Sequence, residues 1–249
     1  MKYIASLLLL PSIMFAGKIG ENYLGVGLGA SSIDFKYADS STGGTRVSTD
    51  ANDFSFNLRG NYNLYESGSN YGVDIPFFFF NGSGADSSPD SDGDIWKTDT
   101  DFSVFSLGLR PHYSFGNFKV FADLGLLSID IETKINWEDA TSANSSSDGT
   151  KFNYGFGVEI ELSEKLSIQP IITWSETEKL VTIHSTSGRD DFSGDDLISF
   201  TIPFAYSYSD KIDITASYMM ANLDEFKNPA GDMIEIEKGS WSIGVDYKF

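Results

Sequence analysis

Alternation with a period of two residues runs through this chain and limits what it can fold into. Apolar side chains at every second position give an extended strand one face in apolar surroundings and one in polar surroundings. The pattern first appears at Leu24, Val26, Leu28 and Ala30, with Tyr23, Gly25, Gly27 and Gly29 on the other face. It returns at Phe54, Phe56 and Leu58 against Ser55, Asn57 and Arg59, and at Val73, Ile75, Phe77 and Phe79 around Asp74 and Pro76. Phe105, Leu107 and Leu109 alternate with Ser106, Gly108 and Arg110; Leu124 and Leu126 share the phase of Phe118, opposite Lys119 and Asp123. The same rule holds in the stretches 152–162, 166–175, 198–207, 212–220 and 241–249. Ten or so segments result, each near the roughly 9–11 residues that cross a bilayer as a tilted strand.

Connections between the segments alternate in length. Short ones fall near 66–70, 116–117, 163–165 and 209–211, and long polar ones near 38–50, 81–99, 136–150, 184–194 and 221–239. Short turns at one end and long loops at the other are the habit of transmembrane β-barrels, and an even strand count puts both termini at the short-turn, periplasmic end. A soluble β-sandwich would also alternate. Against it stand the aromatics that end many apolar faces (Tyr62, Tyr113, Trp174, Tyr206, Tyr247), placed as an interfacial girdle would be. The expectation is an all-β, antiparallel transmembrane β-barrel of about ten strands, with eight as the alternative, short periplasmic turns and long extracellular loops.

The N-terminus reads as an export signal over residues 1–16, leaving 17–249 as the barrel. Lys2 supplies the positive start, Ile4 to Phe15 an apolar run interrupted by Pro11 and Ser12, and Ala16 a small residue before a cut at Gly17, although Met14 stands where a small residue is usual. That run is too short to span a bilayer as a helix. The 36 acidic residues outnumber 17 basic ones, for a formal charge of −19, which argues against nucleic acid as a partner. With no cysteine, the chain has no disulfide, thiolate metal site or lipidated cysteine.

The last strand carries a more specific signal. Ser242, Gly244, Tyr247 and Phe249 fall on the positions of the C-terminal insertion signal of outer-membrane barrels, which they resemble. The resemblance implies recognition by the barrel assembly machinery and a place in the outer membrane of a Gram-negative-type cell, reached through the periplasm. The overall plan resembles the small OmpA-type and porin-like barrels without a periplasmic domain. Outer-membrane lipid and lipopolysaccharide are then the expected surroundings.

Candidate chemistry lies on the polar faces and in the loops. The faces opposite the apolar ones carry the bases Arg59, Arg110 and Lys119 with His112, and the acids Asp74, Asp123, Glu159, Glu161, Asp213 and Asp246. Charges at membrane depth must pair or be wetted. They form either a polar plug or a narrow solute path in which Arg59 and Arg110 set selectivity. The stretch from Ser88 to Asp99 resembles a calcium loop of the EF-hand kind at Asp90, Asp92, Gly93, Asp94, Ile95 and Asp99, with Ser88 in place of the usual first Asp; a solvated acidic loop is the simpler reading.

Enzymatic barrels are the remaining class. Ten-stranded omptin proteases, similar in strand count, use Asp pairs and an Asp–His pair at the outer rim. Here Asp190, Asp191, Asp195 and Asp196 accompany His184, without an Asp-x-His motif. A lipid hydrolase would need a serine beside a histidine, and His184 with Ser185 or Ser187 is a low-specificity pairing. The expectation is a non-enzymatic structural or porin-like barrel, with passage of small solutes as one role. Adhesion or reception through the long acidic loops is the alternative.

Overall fold

The structure is a computed structural model that describes residues 17–38, 46–68, 70–89, 95–137, 142–175, 181–185, 188–192, 197–227 and 233–249. No described helix is long and apolar enough to cross a membrane. The elements are all strands: β1 Tyr23–Ala38, β2 Arg46–Glu66, β3 Tyr71–Pro89, β4 Ile95–Phe115, β5 Phe118–Trp137 and β6 Ser142–Ser163. The second half holds β7 Leu166–Ile168, β8 Ile171–Ser175, β9 Val181–Ser185, β10 Gly188–Phe192, β11 Leu197–Ser209, β12 Ile212–Lys227 and β13 Met233–Lys248. Each long strand pairs antiparallel with its neighbour in sequence, and β13 closes the ring on β1, from Tyr23 opposite Lys248 to Ala38 opposite Met233.

Ten strands make the wall, as the alternation predicts. The seventh is assembled from pieces: β7 and β8 both bridge β6 to β11, and β9 continues on β6 beside residues 144–146. Pro170 explains the interruption, since it has no N–H to give a ladder. The gap is stitched by the Val158 N–H donating to the Pro170 carbonyl at 3.1 Å and the Gln169 N–H to the Pro203 carbonyl at 2.9 Å. β10, which pairs with β9, is the one strand outside the ring among the described residues.

The faces are inverted relative to a soluble protein. The apolar members of the alternation point outward: Leu124 is 57% exposed and Ile243 56%, alongside Leu24, Val26, Leu107, Phe156 and many others. Soluble monomers seldom carry apolar patches beyond a few hundred Å². An apolar surface running round all ten strands is a lipid face. Along β2 it runs from Phe54 to Leu64, both exposed, which is roughly 34 Å of strand or about 25 Å of height at the usual tilt. Exposed Tyr62, Tyr65, Tyr71, Tyr113, Tyr206 and Tyr208 collect toward the short turns, where an aromatic girdle belongs.

The long connections turn out shorter than the sequence suggests, because the strands continue into them. β2 runs on past Phe54 to Arg46, β3 and β4 stay paired to Pro89 opposite Ile95, and β5 and β6 to Asn136 opposite Ser142. Above the lipid both faces of a strand meet water. The ladder can persist there without any apolar alternation, so pattern reading takes these Ser- and Asp-rich stretches for loops.

Candidate functional site

The polar members of the alternation converge inside the barrel, where they bury one another. Arg59, Asp74, Arg110, His112, Asp123, Glu159, Asp213 and Asp246 are each no more than 4% exposed, and Lys119 and Glu161 are half-buried near the short turns. Among the described residues, every buried base meets an acid. The Arg59 guanidinium lies 2.7 Å from Asp246 Oδ1, donates to Asn57 Oδ1 at 2.8 Å, and also reaches the Thr215 hydroxyl. Arg110 grips Asp123 through two bonds, Nε to Oδ1 at 2.6 Å and Nη2 to Oδ2 at 2.9 Å, with its Cζ 4.6 Å from the centre of the Phe121 ring. Lys119 pairs with Glu159 at 3.0 Å, and Lys248 with Asp213 at 3.0 Å. His112 Nε2 faces Asp74 Oδ1 at 3.7 Å. Two-point guanidinium–carboxylate pairing is the strong, geometrically specific form of this interaction.

Small residues make room for these pairs. A Cβ on Gly244 would come 2.5 Å from both Arg59 Nη2 and the Val26 carbonyl, so this glycine, one of the four residues that resemble an insertion signal, clears the path of the arginine. Of the other three residues of that resemblance, Ser242 is buried and bonded to the Ser217 hydroxyl at 2.8 Å, while Tyr247 and Phe249 are exposed to the lipid side. Around the charged pairs the lumen is apolar on one side. Phe78, Phe80, Val104, Phe121 and Leu127 point inward and are buried.

The short-turn end is filled by the chain's own residues 17–22, which belong to no strand. They turn at Lys18–Glu21, where the Glu21 N–H donates to the Lys18 carbonyl at 3.4 Å and Gly20 takes φ +84°, the left-handed region that favours glycine. The Ile19 N–H donates to Glu159 Oε2 and the Gly20 N–H to Asp74 Oδ2, each at 2.9 Å. Gln169 Nε2 donates to the Gly17 carbonyl at 2.7 Å, Lys119 Nζ to that of Ile19 at 2.8 Å, Asn63 Nδ2 to that of Gly20 at 3.1 Å, and Asn61 Nδ2 to that of Glu21 at 2.9 Å. The Ile19 side chain, 1% exposed, forms an apolar cluster with Phe121 and Ile171. Burial lifts the Glu21 carboxyl above the ordinary carboxylate range, with the Lys248 ammonium, 3.6 Å away, acting in the opposite direction.

Gln169, Asn61, Asn63 and the 17–22 segment leave little sequence signal: the three amides carry no charge and keep the alternation, and the segment's charges, Lys18 and Glu21, fall outside any alternating stretch. Phe78, Phe80 and Phe121 did leave a signal: each is aromatic at a position whose phase is otherwise polar. The expected calcium loop spans Ser88 to Asp99. Asp90, Asp92 and Asp94 lie outside the described residues, as does Gly93. Asp99 is exposed on β4 opposite Ala85, three positions past the partner of Ser88 and so roughly 10 Å along the strand from it. No group of metal-binding side chains occurs among the described residues. His184 and Ser185 sit on β9, and Asp190 and Asp191 on β10 opposite Ile183 and Thr182; Ser187, Asp195 and Asp196 lie outside the described residues.

A closed antiparallel ring, apolar outside and charged inside, defines a transmembrane barrel of the bacterial outer membrane. The chain belongs to the outer membrane protein beta-barrel domain family, whose model matches residues 4–196. No curated protein matches it by sequence. Among solved structures it is similar to the transport unit of the autotransporter AIDA-I from Escherichia coli, with 12% identity, a TM-score of 0.60, and 97% of this chain and 94% of that one covered. It is also similar to the outer membrane protease OmpT from Escherichia coli, with 10% identity, a TM-score of 0.56, and 96% and 100% covered. At such identities the likeness is one of fold.

Proposed function

We propose that the mature chain is a closed, non-enzymatic outer-membrane barrel that serves the envelope as a structural and surface-presenting protein, without a standing pore. The observation that carries this reading is the filled lumen: Arg59, Asp74, Arg110, Asp123, Glu159 and Asp246 are each at most 4% exposed. In a conducting porin such side chains line water. Here they neutralise one another across the lumen, and inward-facing aromatics pack beside them. Side chains can fill a barrel of this strand number without leaving a channel.

Its partners follow from its surface. The apolar band meets lipid and, in the outer leaflet, lipopolysaccharide, while Ser242, Gly244, Tyr247 and Phe249 present the last strand to the assembly machinery. No resident cofactor is part of this reading. His112 supports the non-enzymatic assignment, since it is sealed beside Asp74 and Gly20 rather than set at an accessible rim. Liposome swelling tests the absence of a pore. Vesicles carrying the refolded barrel should swell in an isosmotic sugar no faster than empty ones, and porin-like swelling would refute the reading.

One observation favours a second role in binding at the cell surface. β2 rises about 20 Å beyond the apolar band, paired with β1 to its end, and β3 with β4 and β5 with β6 stay paired above it too, so sheeted walls stand clear of the lipid. Exchange of residues 38–50 and 81–99 for those of an inert barrel should abolish any cell or matrix binding conferred by the intact chain. Binding that survives the exchange would exclude this role.

A further inference from the structure

The 17–22 segment behaves as a ligand rather than as part of the wall. The paired strands from β1 round to β13 are complete without it, and it shares one backbone hydrogen bond with the wall, from the Phe249 N–H to the Asn22 carbonyl at 3.2 Å. What holds it is a set of side chains aimed at main-chain atoms. Two buried carboxylates, Glu159 and Asp74, accept from the consecutive N–H groups of Ile19 and Gly20. Gln169, Lys119, Asn63 and Asn61 donate to its carbonyls. One apolar pocket, Phe121 with Ile171, takes the single buried side chain. Main-chain hydrogen bonds with one side-chain pocket are the recognition chemistry of peptide-binding sites.

From this we infer that the short-turn end of the lumen is a peptide-binding site, occupied reversibly in cis by Gly17–Asn22. Its ligand is a short turned peptide with an aliphatic side chain followed by glycine, the glycine being needed for the positive φ. Asp74 adds a reason for the site to stay filled. Asp74 accepts from the Gly20 N–H and faces His112, with the Arg110 charge acting on it at longer range. An empty site would leave this buried carboxylate one hydrogen bond poorer.

Because the chain has no cysteine, an Ile19→Cys variant of the full mature chain carries one reactive thiol. In the folded barrel it should react with a maleimide on the order of 100-fold more slowly than a Tyr208→Cys variant, whose site is exposed. Excess synthetic hexapeptide Gly-Lys-Ile-Gly-Glu-Asn should raise the reaction rate of the Ile19→Cys variant by about tenfold or more as it takes the site. Absence of protection overturns the inference, and so does protection that no peptide concentration relieves. An Ile19→Arg full-length variant, unable to seat its own segment in the apolar pocket, supplies a second measurement. It should bind the dye-labelled hexapeptide saturably and at least about tenfold more tightly than the wild-type barrel does. Equal binding by the two, or no binding by either, would overturn the inference.

Discussion

Replacing Arg110 with alanine strips a carboxylate of its cation in a place with almost no access to water. The guanidinium side chain is 2% exposed and the Asp123 carboxylate 6%, and the two share hydrogen bonds of 2.6 and 2.9 Å. Removing one member of such a buried pair costs about 3–5 kcal/mol, because the remaining charge keeps its desolvation penalty and loses its compensation. The contact with the Phe121 ring adds up to about 2 kcal/mol where it is desolvated, part of it already counted in the pair. Arg110→Ala should therefore lose about 3–5 kcal/mol.

Removing both charges should behave quite differently. An Arg110→Met/Asp123→Leu barrel should come within about 1 kcal/mol of wild type, since the penalty disappears with the charges. Arg110→Lys should fall between, keeping the charge but not the two-point geometry. Reversible urea unfolding in phospholipid, followed by tryptophan fluorescence, gives these differences from the shift in midpoint at constant slope. If Arg110→Ala costs less than about 1 kcal/mol, water solvates Asp123 and the lumen is wet. The reasoning for a closed barrel would then be wrong.

Other perturbations address separate links. Gly244→Ala should cost about 1–3 kcal/mol by the same assay, because the new Cβ meets the fixed Val26 carbonyl as well as Arg59, and an unchanged midpoint would refute the close approach. Leu124→Arg, outward and 57% exposed, should cost about 2–4 kcal/mol in a bilayer if that face meets lipid near mid-depth; a neutral effect would move the residue into water. The raised Glu21 carboxyl implies that the folded state holds its proton more tightly than the unfolded chain. Stability from this group is therefore full below the ordinary carboxylate pKa of about 4.3 and declines as pH rises through the raised folded value. Midpoints measured across that window should show a smaller decline in Glu21→Gln, and identical profiles would remove Glu21 from the account.

How much of this could be read from residues depended on where the environment imposes a pattern. Between lipid and lumen every second side chain is constrained, so Leu24 to Ala30 or Ile212 to Met220 disclose both strand and facing without a structure. Above the lipid that constraint lapses, and residues 81–89 and 142–150 form strands that look like loops. The inward charges were legible by phase, but which base meets which acid was not. Arg110 finds Asp123 rather than Asp74, its partner across the β3–β4 ladder, and only the three-dimensional register decides that. The occupant of the short-turn end was hidden most deeply. Gly17–Asn22 is recognised through its backbone, and main-chain hydrogen bonding leaves little trace in side-chain identity.

Single-channel recording from the refolded mature barrel in a planar bilayer tests the closed lumen most directly. A lumen filled by Arg59–Asp246, Arg110–Asp123 and the inward aromatics should give a silent bilayer, with insertion verified by the protein's heat-dependent migration on a gel. Discrete, long-lived conductance steps that change size in Arg59→Ala or Arg110→Ala would show ions passing between those side chains and would contradict the account.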